Sequence, residues 1–213
     1  MGLSFVLQFI RFKMGRSVSQ IYQLLIVLQF ICYSTEVEYE FLMEDGTFYN
    51  ECKDLPGALS MEDFLDMTNL NRTLVEEGIQ VSGNMTSVWY GVDYSDRIQM
   101  TGSVQYFDRG TWVPTILNML VSDLCKVLYD DKQLWYKSWS SHIVNRREIE
   151  KECLMPGTVF IFETYTANFR FGSGIYLKPG RYSIRLQYKA FDKFNIMRPN
   201  DICYEIRGEF FKI

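Results

Sequence analysis

The residue types that most often perform chemistry are sparse in this sequence of 213 residues, which contains one histidine, His142. Catalytic triads and zinc sites combine histidine with further side chains of defined type. Ser140 and Ser141 precede His142, but neither lies in a Gly-x-Ser-x-Gly motif, and no neighbouring acid is placed to orient the ring. We therefore interpret His142 as a surface or helix-capping residue, and we predict no catalytic residue and no enzymatic activity.

The acidic residues do not form a recognisable site either. A glycosidase needs only two carboxylates, yet most of the 26 acidic residues alternate with apolar ones, as Glu36, Glu38 and Glu40 do. EF-hand loops, phosphate-binding loops and dinucleotide-binding fingerprints are absent from the sequence. The net charge of −4 gives no electrostatic reason to expect a nucleic acid. The sequence predicts no cofactor, no metal site and no nucleic-acid partner.

The N-terminal residues have the composition of a secretion signal. Three basic residues precede residues 21–31, an apolar run that is too short to cross a bilayer. Small residues stand at the positions expected before a cut after Ser34, whether translation starts at Met1 or at Met14. We predict a signal peptide over residues 1–34, a single domain over residues 35–213, and a secreted, extracellular protein that is not embedded in a membrane.

An uncleaved signal anchor is the alternative, because residues 3–10 add a second apolar patch. Arg11 and Lys13 separate the two apolar runs and favour cleavage. Cleavage removes three basic residues and no acidic residue, so the net charge changes from −4 to −7. It also removes Cys32 and leaves four of the five cysteines, namely Cys52, Cys125, Cys153 and Cys203.

These four cysteines indicate disulfides rather than a metal site. Their spacings of 73, 28 and 50 residues contain no Cys-x-x-Cys unit, which structural zinc sites usually have. An even number of cysteines in an exported protein is typical of two disulfides, and four cysteines allow three pairings. Two Asn-x-Thr sequons, at Asn71 and Asn84, agree with export and predict N-glycosylation.

Most of the mature chain has the period-two hydrophobicity of strands with one dry face and one wet face. In the clearest example, Tyr182, Ile184, Leu186 and Tyr188 alternate with polar residues. Similar alternation covers residues 37–43, 79–89, 98–106 and 202–210, and residues 158–162 are largely apolar on both faces. This pattern predicts antiparallel sheets that enclose a core between them.

One segment departs from the strand period. The spacing of a helix face is shown by Leu117, Leu120, Val121, Leu124 and Leu128. Pro114 suits a first helical turn, and Trp135 and Trp139 suggest a second short helix that ends near His142. The sequence therefore predicts a mostly β fold, a two-sheet antiparallel β-sandwich with a short helical insert near residues 115–141.

The second half of the chain carries spaced Cys, Trp and Pro-Gly motifs. In order, they are Gly110-Thr-Trp-Val-Pro-Thr115, Asp123-Leu-Cys125, Trp135-Tyr-Lys-Ser-Trp139, Cys153-Leu-Met-Pro-Gly-Thr158, Pro179-Gly-Arg-Tyr182 and Ile202-Cys-Tyr-Glu-Ile-Arg-Gly208. Over about half its length the chain resembles the fly chemosensory protein A group, small secreted proteins linked with gustatory sensilla and with detection of pheromones or contact chemicals. That group is related to the ML (lipid-recognition) β-sandwich proteins, such as the ganglioside activator.

The resemblance implies a disulfide pairing and a binding site. ML-type sandwiches often join an early cysteine to a late one, which here implies Cys52–Cys203 and leaves Cys125–Cys153. The resemblance also implies a cavity between the sheets for a small hydrophobic ligand. Its candidate lining residues are Val104, Tyr106, Trp112, Phe160, Phe162, Tyr182, Ile184, Leu186 and Tyr188. On the residues alone, an ordinary dry core explains the same set.

The expected function is therefore binding. We predict a secreted, non-enzymatic binder of a lipid, pheromone or cuticular hydrocarbon that acts in extracellular chemosensation, with a membrane chemoreceptor as a candidate partner. The alternative is an extracellular protein-interaction module or receptor accessory with a solid core and no ligand cavity. A cavity between the sheets would favour the first hypothesis, and a dry core with a large exposed apolar patch would favour the second.

Overall fold

The structure, a computed structural model, describes residues 37–44, 48–76 and 78–213. The predicted signal peptide over residues 1–34 and its cleavage site lie outside these residues. Among the described residues, Val37 and Gly172–Tyr176 belong to one compact unit, and all the others belong to a second. Both disulfides and the hydrophobic cores lie in the second unit.

Strands dominate the described part of the chain, as the alternating hydrophobicity predicts. They are β1 (Val37–Met43), β2 (Asn50–Glu51), β3 (Leu65–Asp66), β4 (Leu70–Val75), β5 (Gly78–Ser87), β6 (Arg97–Asp108), β7 (Thr111–Val121), β8 (Val159–Ala167), β9 (Arg170–Ser173), β10 (Gly180–Phe191) and β11 (Ile202–Lys212). The helices are short: α1 (Leu124–Val127), a 3₁₀ turn (Ser140–His142) and α2 (Arg146–Ile149). No helix among the described residues is long and apolar enough to cross a membrane.

The strands form two sheets whose assigned pairings are antiparallel. Sheet A has the order β7-β6-β10-β11-β1-β9, with β2 also paired to β11. In sheet B the central strand is β5, which pairs with β8 on one side and with β3 and β4 on the other. This arrangement confirms the predicted mostly β, two-sheet antiparallel sandwich.

The predicted helical insert near residues 115–141 is wrong over most of its length. Residues up to Val121 continue β7, an edge strand that pairs with β6, and only the four residues of α1 are α-helical. Pro114 lies in this edge strand, where a missing N–H does little harm. Trp135 and Trp139 lie in consecutive turns rather than in a helix. The helix-like spacing was misleading because Leu117, Leu120 and Val121 belong to β7, whereas Leu124 begins α1.

The two disulfides form the pairs that the resemblance implied. Cys52 is bonded to Cys203 at a sequence separation of 151 residues, and Cys125 is bonded to Cys153 at a separation of 28 residues. The first attaches the loop after β2 to the central strand β11, and the second attaches α1 to the turn before β8. The second bond therefore holds the irregular segment between β7 and β8 against the sandwich.

We expect the two disulfides to differ in their contribution to stability, because the entropy of closing an unfolded loop grows with its length. Replacing Cys52 and Cys203 by Ala should lower the free energy of unfolding by about 5 kcal/mol, and replacing Cys125 and Cys153 by about 3.5 kcal/mol. Urea unfolding of the two double variants beside the wild type measures this difference. A larger loss for the Cys125–Cys153 pair would contradict the loop-length argument.

Candidate functional site

Apart from Trp112, the candidate ligand-binding residues of sheet A lie on its inner face, the face directed at sheet B. Strand register places Tyr182 beside Tyr106, Ile184 beside Val104, and Tyr188 beside Met100. Residues aligned across neighbouring strands share a face of the sheet. The structure thus brings Val104, Tyr106, Tyr182, Ile184, Leu186 and Tyr188 together, as their alternation in the sequence predicts.

One end of this inner face is closed by the main hydrophobic core. Tyr188 packs there with Tyr204 of β11 and with Phe160 and Phe162 of β8, all of which are buried. The hydroxyl oxygens of Tyr188 and Tyr204 lie 3.3 Å apart. Phe160 and Phe162 therefore contribute to a solid core at this end of the sandwich.

The other end of the inner face is closed by a row of aromatic rings. The Phe210 ring contacts Tyr182 at 4.7 Å and Phe41 at 4.8 Å between ring centroids, and Tyr182 contacts Tyr106 at 5.0 Å. The Tyr182 hydroxyl donates a hydrogen bond to the Lys178 carbonyl at 2.6 Å. Phe41, Tyr182 and Phe210 are buried, so this end is also densely packed.

Between these two packed ends the inner face is only half covered. We call this region the inner trough, and its members are the half-buried apolar residues Val104, Met119, Ile184, Leu186 and Ile206. At about 3.3 Å per residue, the distance along β10 from Tyr182 to Tyr188 is about 20 Å. The trough crosses β11, β10, β6 and β7, which is about 14 Å at the usual strand spacing.

The trough is half open because sheet B packs on the rest of sheet A. Near Met85, sheet B contacts the closed end at Tyr188 and Tyr204. At its other end, Ile79 and Val81 belong to a separate small core, against which Met43 of β1 packs. Sheet B therefore contributes to the main core at one end and to the small core on the β1 side at the other, and Met119, Leu186 and Ile206 pack at the partly covered border of the main core.

Gly102 occupies the floor of the trough. A Cβ atom at this position would lie 3.3 Å from Met119 Cε and 3.5 Å from Leu186 Cδ2. Because glycine has no side chain, Met119 and Leu186 reach over the backbone from the two neighbouring strands. Two flexible side chains thus line the centre of the trough, which suits a surface that adjusts to an apolar ligand.

Trp112 is not part of this inner face, contrary to prediction. The β6–β7 hairpin turns at Arg109 and Gly110, whose φ angles are +49° and +87°. This tight turn pairs Trp112 with Phe107, on the face opposite Tyr106. The guanidinium groups of Arg181 and Arg207 lie 5.5 and 5.4 Å from the centre of the Trp112 ring.

The outer face of sheet A is occupied by ion pairs. Glu205 is buried and accepts hydrogen bonds from Arg185 at 2.7 Å and from Arg207 at 2.9 Å. Arg185 also donates to Asp54 at 2.7 Å. Arg181 forms an ion pair with Glu44, and this contact lowers the pKa of the Glu44 carboxyl. These charged side chains form ion pairs with one another. The apolar candidate site lies on the opposite, inner face.

Two of the trough residues were missed by sequence reasoning. Ile206 follows Tyr204 in the alternation of β11 and could have been included on that ground. Met119 was not considered because residues 115–141 were interpreted as helical. In the structure it pairs with Gly102 across the β6–β7 hairpin. The strand register, which depends on the turn at Arg109 and Gly110, is the signal that would have found it.

His142 has an acidic neighbour that sequence reasoning did not identify. Its Nδ1 lies 2.9 Å from Glu163 Oε1, its Nε2 donates to the Lys137 carbonyl at 2.9 Å, and its ring stacks on Tyr165 at 3.7 Å. A general base must have a free nitrogen directed at a nucleophile. Both ring nitrogens of His142 are engaged, so the residue fastens the turn at residues 137–142 to β8.

Three further features of the described residues bear on possible sites. A polar surface depression of about 420 Å³ lies beside the Cys52–Cys203 bond and is lined by residues such as Lys53 and Asp63. Among the residues that the structure describes, no three His, Cys, Asp or Glu side chains group as metal ligands. Asn71 is exposed on β4 and Asn84 is half-buried on β5, so of the two predicted glycosylation sites Asn71 is the more accessible.

Comparison with known proteins gives no relative from which a function could be transferred. No protein-family model and no curated protein matches this chain. The resemblance to the chemosensory protein A group and to ML proteins thus stays a prediction from the sequence motifs. The inner trough is the feature on which a functional proposal has to rest.

The buried phenols at the closed end predict a loss of stability at alkaline pH. Burial raises the pKa of Tyr188 to about 12 from 10.0 and raises the pKa of Tyr204 well above 10.0. Below pH 10.0 both phenols are neutral in the folded and unfolded states, and their contribution to stability is complete. Above that pH the unfolded state releases protons first, so the free energy of unfolding falls as pH rises towards 12.

Urea unfolding at several pH values measures this loss, and Tyr188→Phe is the matched variant. The variant lacks one titrating phenol, so its free energy of unfolding should fall less steeply than that of the wild type, by about 1.4 kcal/mol per pH unit. Near-ultraviolet absorbance of tyrosinate should show the buried tyrosines ionising only as the protein unfolds. Equal alkaline slopes for the two proteins would show that Tyr188 ionises freely in the folded state.

Proposed function

We propose that this chain is a secreted, non-enzymatic binder of a small hydrophobic ligand, and that the inner trough is its binding surface. The observation that carries the proposal is the half-burial of Val104, Ile184, Leu186 and Ile206 between two fully packed ends. Leu186 and Ile206 pack against the main core from this side, so the trough is a partly covered apolar border of that core. The resemblance to chemosensory and ML proteins supports the same function and suggests a lipid, a pheromone or a cuticular hydrocarbon as the ligand.

The chemistry of the trough favours an apolar ligand. Its members are aliphatic or thioether side chains. An apolar ligand would gain about 2.5 kcal/mol for each 100 Å² of its surface that leaves water. The trough members of β10, Ile184 and Leu186, are about 7 Å apart along the strand, and the four strands add about 14 Å across it, so the trough suits a small apolar ligand.

Two disulfides in the described chain are consistent with an oxidising compartment. A membrane chemoreceptor is the partner that the resemblance suggests. The loops at the closed end offer a contact surface for it, because Tyr94 is 71% exposed and Phe194 is 73% exposed. An ion pair between Arg198 and the buried Asp96, at 2.9 Å, joins these loops.

Substitution of Ile184 by Arg tests the ligand-binding proposal. An unpaired charge in the centre of the trough makes burial of an apolar ligand costly. We expect the Kd for a neutral hydrophobic fluorophore, N-phenyl-1-naphthylamine, to rise by about tenfold or more, which corresponds to about 1.4 kcal/mol. Ile161→Arg is the control, because Ile161 is 42% exposed on β8 and lies outside the trough.

Circular dichroism and urea unfolding of both variants separate loss of binding from loss of fold. Native mass spectrometry of the secreted wild type should in addition detect a retained lipid-like molecule. The proposal fails if the wild type binds neither a lipid nor the fluorophore. It also fails if folded Ile184→Arg and Ile161→Arg bind the fluorophore equally well.

A further inference from the structure

The connection between β7 and β8 includes a run of turns that lies against β8. We call its residues 129–142 the flap. The Leu128 carbonyl accepts hydrogen bonds from the Trp135 indole at 2.9 Å and from the Ser140 hydroxyl at 2.5 Å, and these bonds hold the flap folded on itself. The Ser141 N–H also donates to the Tyr136 carbonyl at 2.9 Å. The flap is therefore a defined structure, although it consists of turns.

Side chains attach the flap to β8 in different ways. The Trp139 ring packs on the Phe160 ring at 5.3 Å between centroids, and the Tyr165 hydroxyl donates to the Ser138 carbonyl at 3.1 Å. Burial raises the pKa of Tyr165 to about 12, so its phenol is uncharged near neutral pH. The remaining attachment is the ring of His142, the side-chain type that changes charge near neutral pH.

Both nitrogens of the His142 ring face oxygen atoms that accept hydrogen bonds. Nδ1 lies 2.9 Å from Glu163 Oε1, and Nε2 lies 2.9 Å from the Lys137 carbonyl oxygen. A carboxylate and a carbonyl have no hydrogen to donate. A neutral imidazole carries a hydrogen on one nitrogen, so its other nitrogen would direct a lone pair at an oxygen. The imidazolium form donates from both nitrogens and satisfies both contacts.

The charged groups of the surrounding elements have other partners. The neighbouring strand β5 has no charged residue. On β4, Arg72 lies over an aromatic ring at 4.8 Å, and on α2, Arg146 is 3.8 Å from Glu150. The ring also forms no ion pair, among the described residues, with the flap's own charged side chains, which are Asp130, Asp131, Lys132 and Lys137. Glu163 is therefore the charged side chain that bonds His142.

We propose that the flap is a pH-sensitive element of the fold, in which protonation of His142 holds the flap against β8 and loss of that proton loosens it. Histidine ordinarily changes charge between about pH 5 and pH 8, and the sequence has one. Loosening would uncover Phe160 and Trp139, which pack in the main core. The proposal rests on the two acceptors around His142 and is independent of the inner trough.

The direction of the effect follows from these two acceptors. At about pH 5.5 the imidazolium donates to both oxygens, and glutamate carboxyls, which ordinarily ionise near about pH 4.3, are charged. As the pH rises, the neutral ring keeps one hydrogen, and the ion pair with Glu163 is lost. The stabilisation is therefore present at acidic pH and lost towards about pH 8.

The effect should be modest, because the Glu163 side chain is 55% exposed and solvent screens the ion pair. We expect the equilibrium between the attached and the loosened flap to change about fivefold. Hydrogen–deuterium exchange of the disulfide-intact protein at about pH 5.5 and about pH 8 measures this change. Protection factors, which correct for the pH dependence of exchange itself, should fall for peptides that cover residues 133–143 and stay constant for peptides of β10.

Nuclear magnetic resonance of protein labelled with ¹⁵N-histidine reports on His142 alone, because the sequence has one histidine. The ¹⁵N signals distinguish a protonated ring nitrogen from a bare one. At the acidic end both nitrogens should carry hydrogen, and flap protection should fall in step with loss of one of these hydrogens.

Glu163→Gln separates the proton from the contact. The amide of this variant can donate to a bare Nδ1 or accept from a protonated one, so flap protection should change less than about twofold between the two pH values. His142→Phe keeps a ring to stack on Tyr165 but cannot titrate, and it should show the same flat response. Glu148→Gln is the control, because it removes the same charge from an exposed position on α2 and should respond like the wild type.

Equal flap protection of the wild type at the two pH values overturns the proposal. A full pH response in either Glu163→Gln or His142→Phe also overturns it, because the response would then have another source. Loss of the response in Glu148→Gln would indicate a general effect of charge and would contradict the assignment to His142. Circular dichroism confirms the fold of each variant, and the two test variants change different partners of the contact, so either one decides.

Discussion

The position of sheet B determines what the inner face of sheet A can do. Aromatic side chains around Phe160 fix one end of sheet B to the closed end at Tyr188 and Tyr204. The small core around Val81 packs with Met43 on the β1 side. With these two attachments in place, the middle of β6 and β10 has apolar side chains but incomplete cover. A half-covered apolar surface is costly in water, and it is the property that a binder of hydrophobic molecules needs.

The central strand β11 connects the elements that maintain this arrangement. Cys203 attaches it to the loop at Cys52, and Glu205, which also accepts a hydrogen bond from Arg207 of the same strand, attaches it to Arg185 of β10 on the outer face. On the inner face the same strand contributes Tyr204 to the main core and Ile206 to the trough. The outer face of β11 thus carries the disulfide and the ion pairs, and its inner face is apolar.

The alternating pattern of β10 and β11 was enough to predict the sandwich and most of the inner face. Tyr182, Ile184, Leu186 and Tyr188 face one side because side chains alternate along any strand. Sequence could not show that Ile184 and Leu186 are half-buried while Tyr188 is fully buried, because that difference depends on where the second sheet packs.

The errors on Trp112 and on residues 115–121 come from one region, the β6–β7 hairpin. Trp112 was assigned to the wrong face, since its orientation depends on the two-residue turn at Arg109 and Gly110. Residues 115–121 were interpreted as helical because the exposed Ile116 and Leu120 break the alternation that identifies a strand.

The central claim is that the inner trough is where an apolar ligand binds. Photolabelling with a long-chain fatty acid that carries a diazirine in its chain, followed by peptide mapping, tests it most directly. The account predicts that label is found on β6, β10 and β11, at or beside Val104, Ile184, Leu186 and Ile206. Saturable label confined to the outer face at Trp112 or to the loops at Tyr94 and Phe194, with none on the inner face, would contradict it.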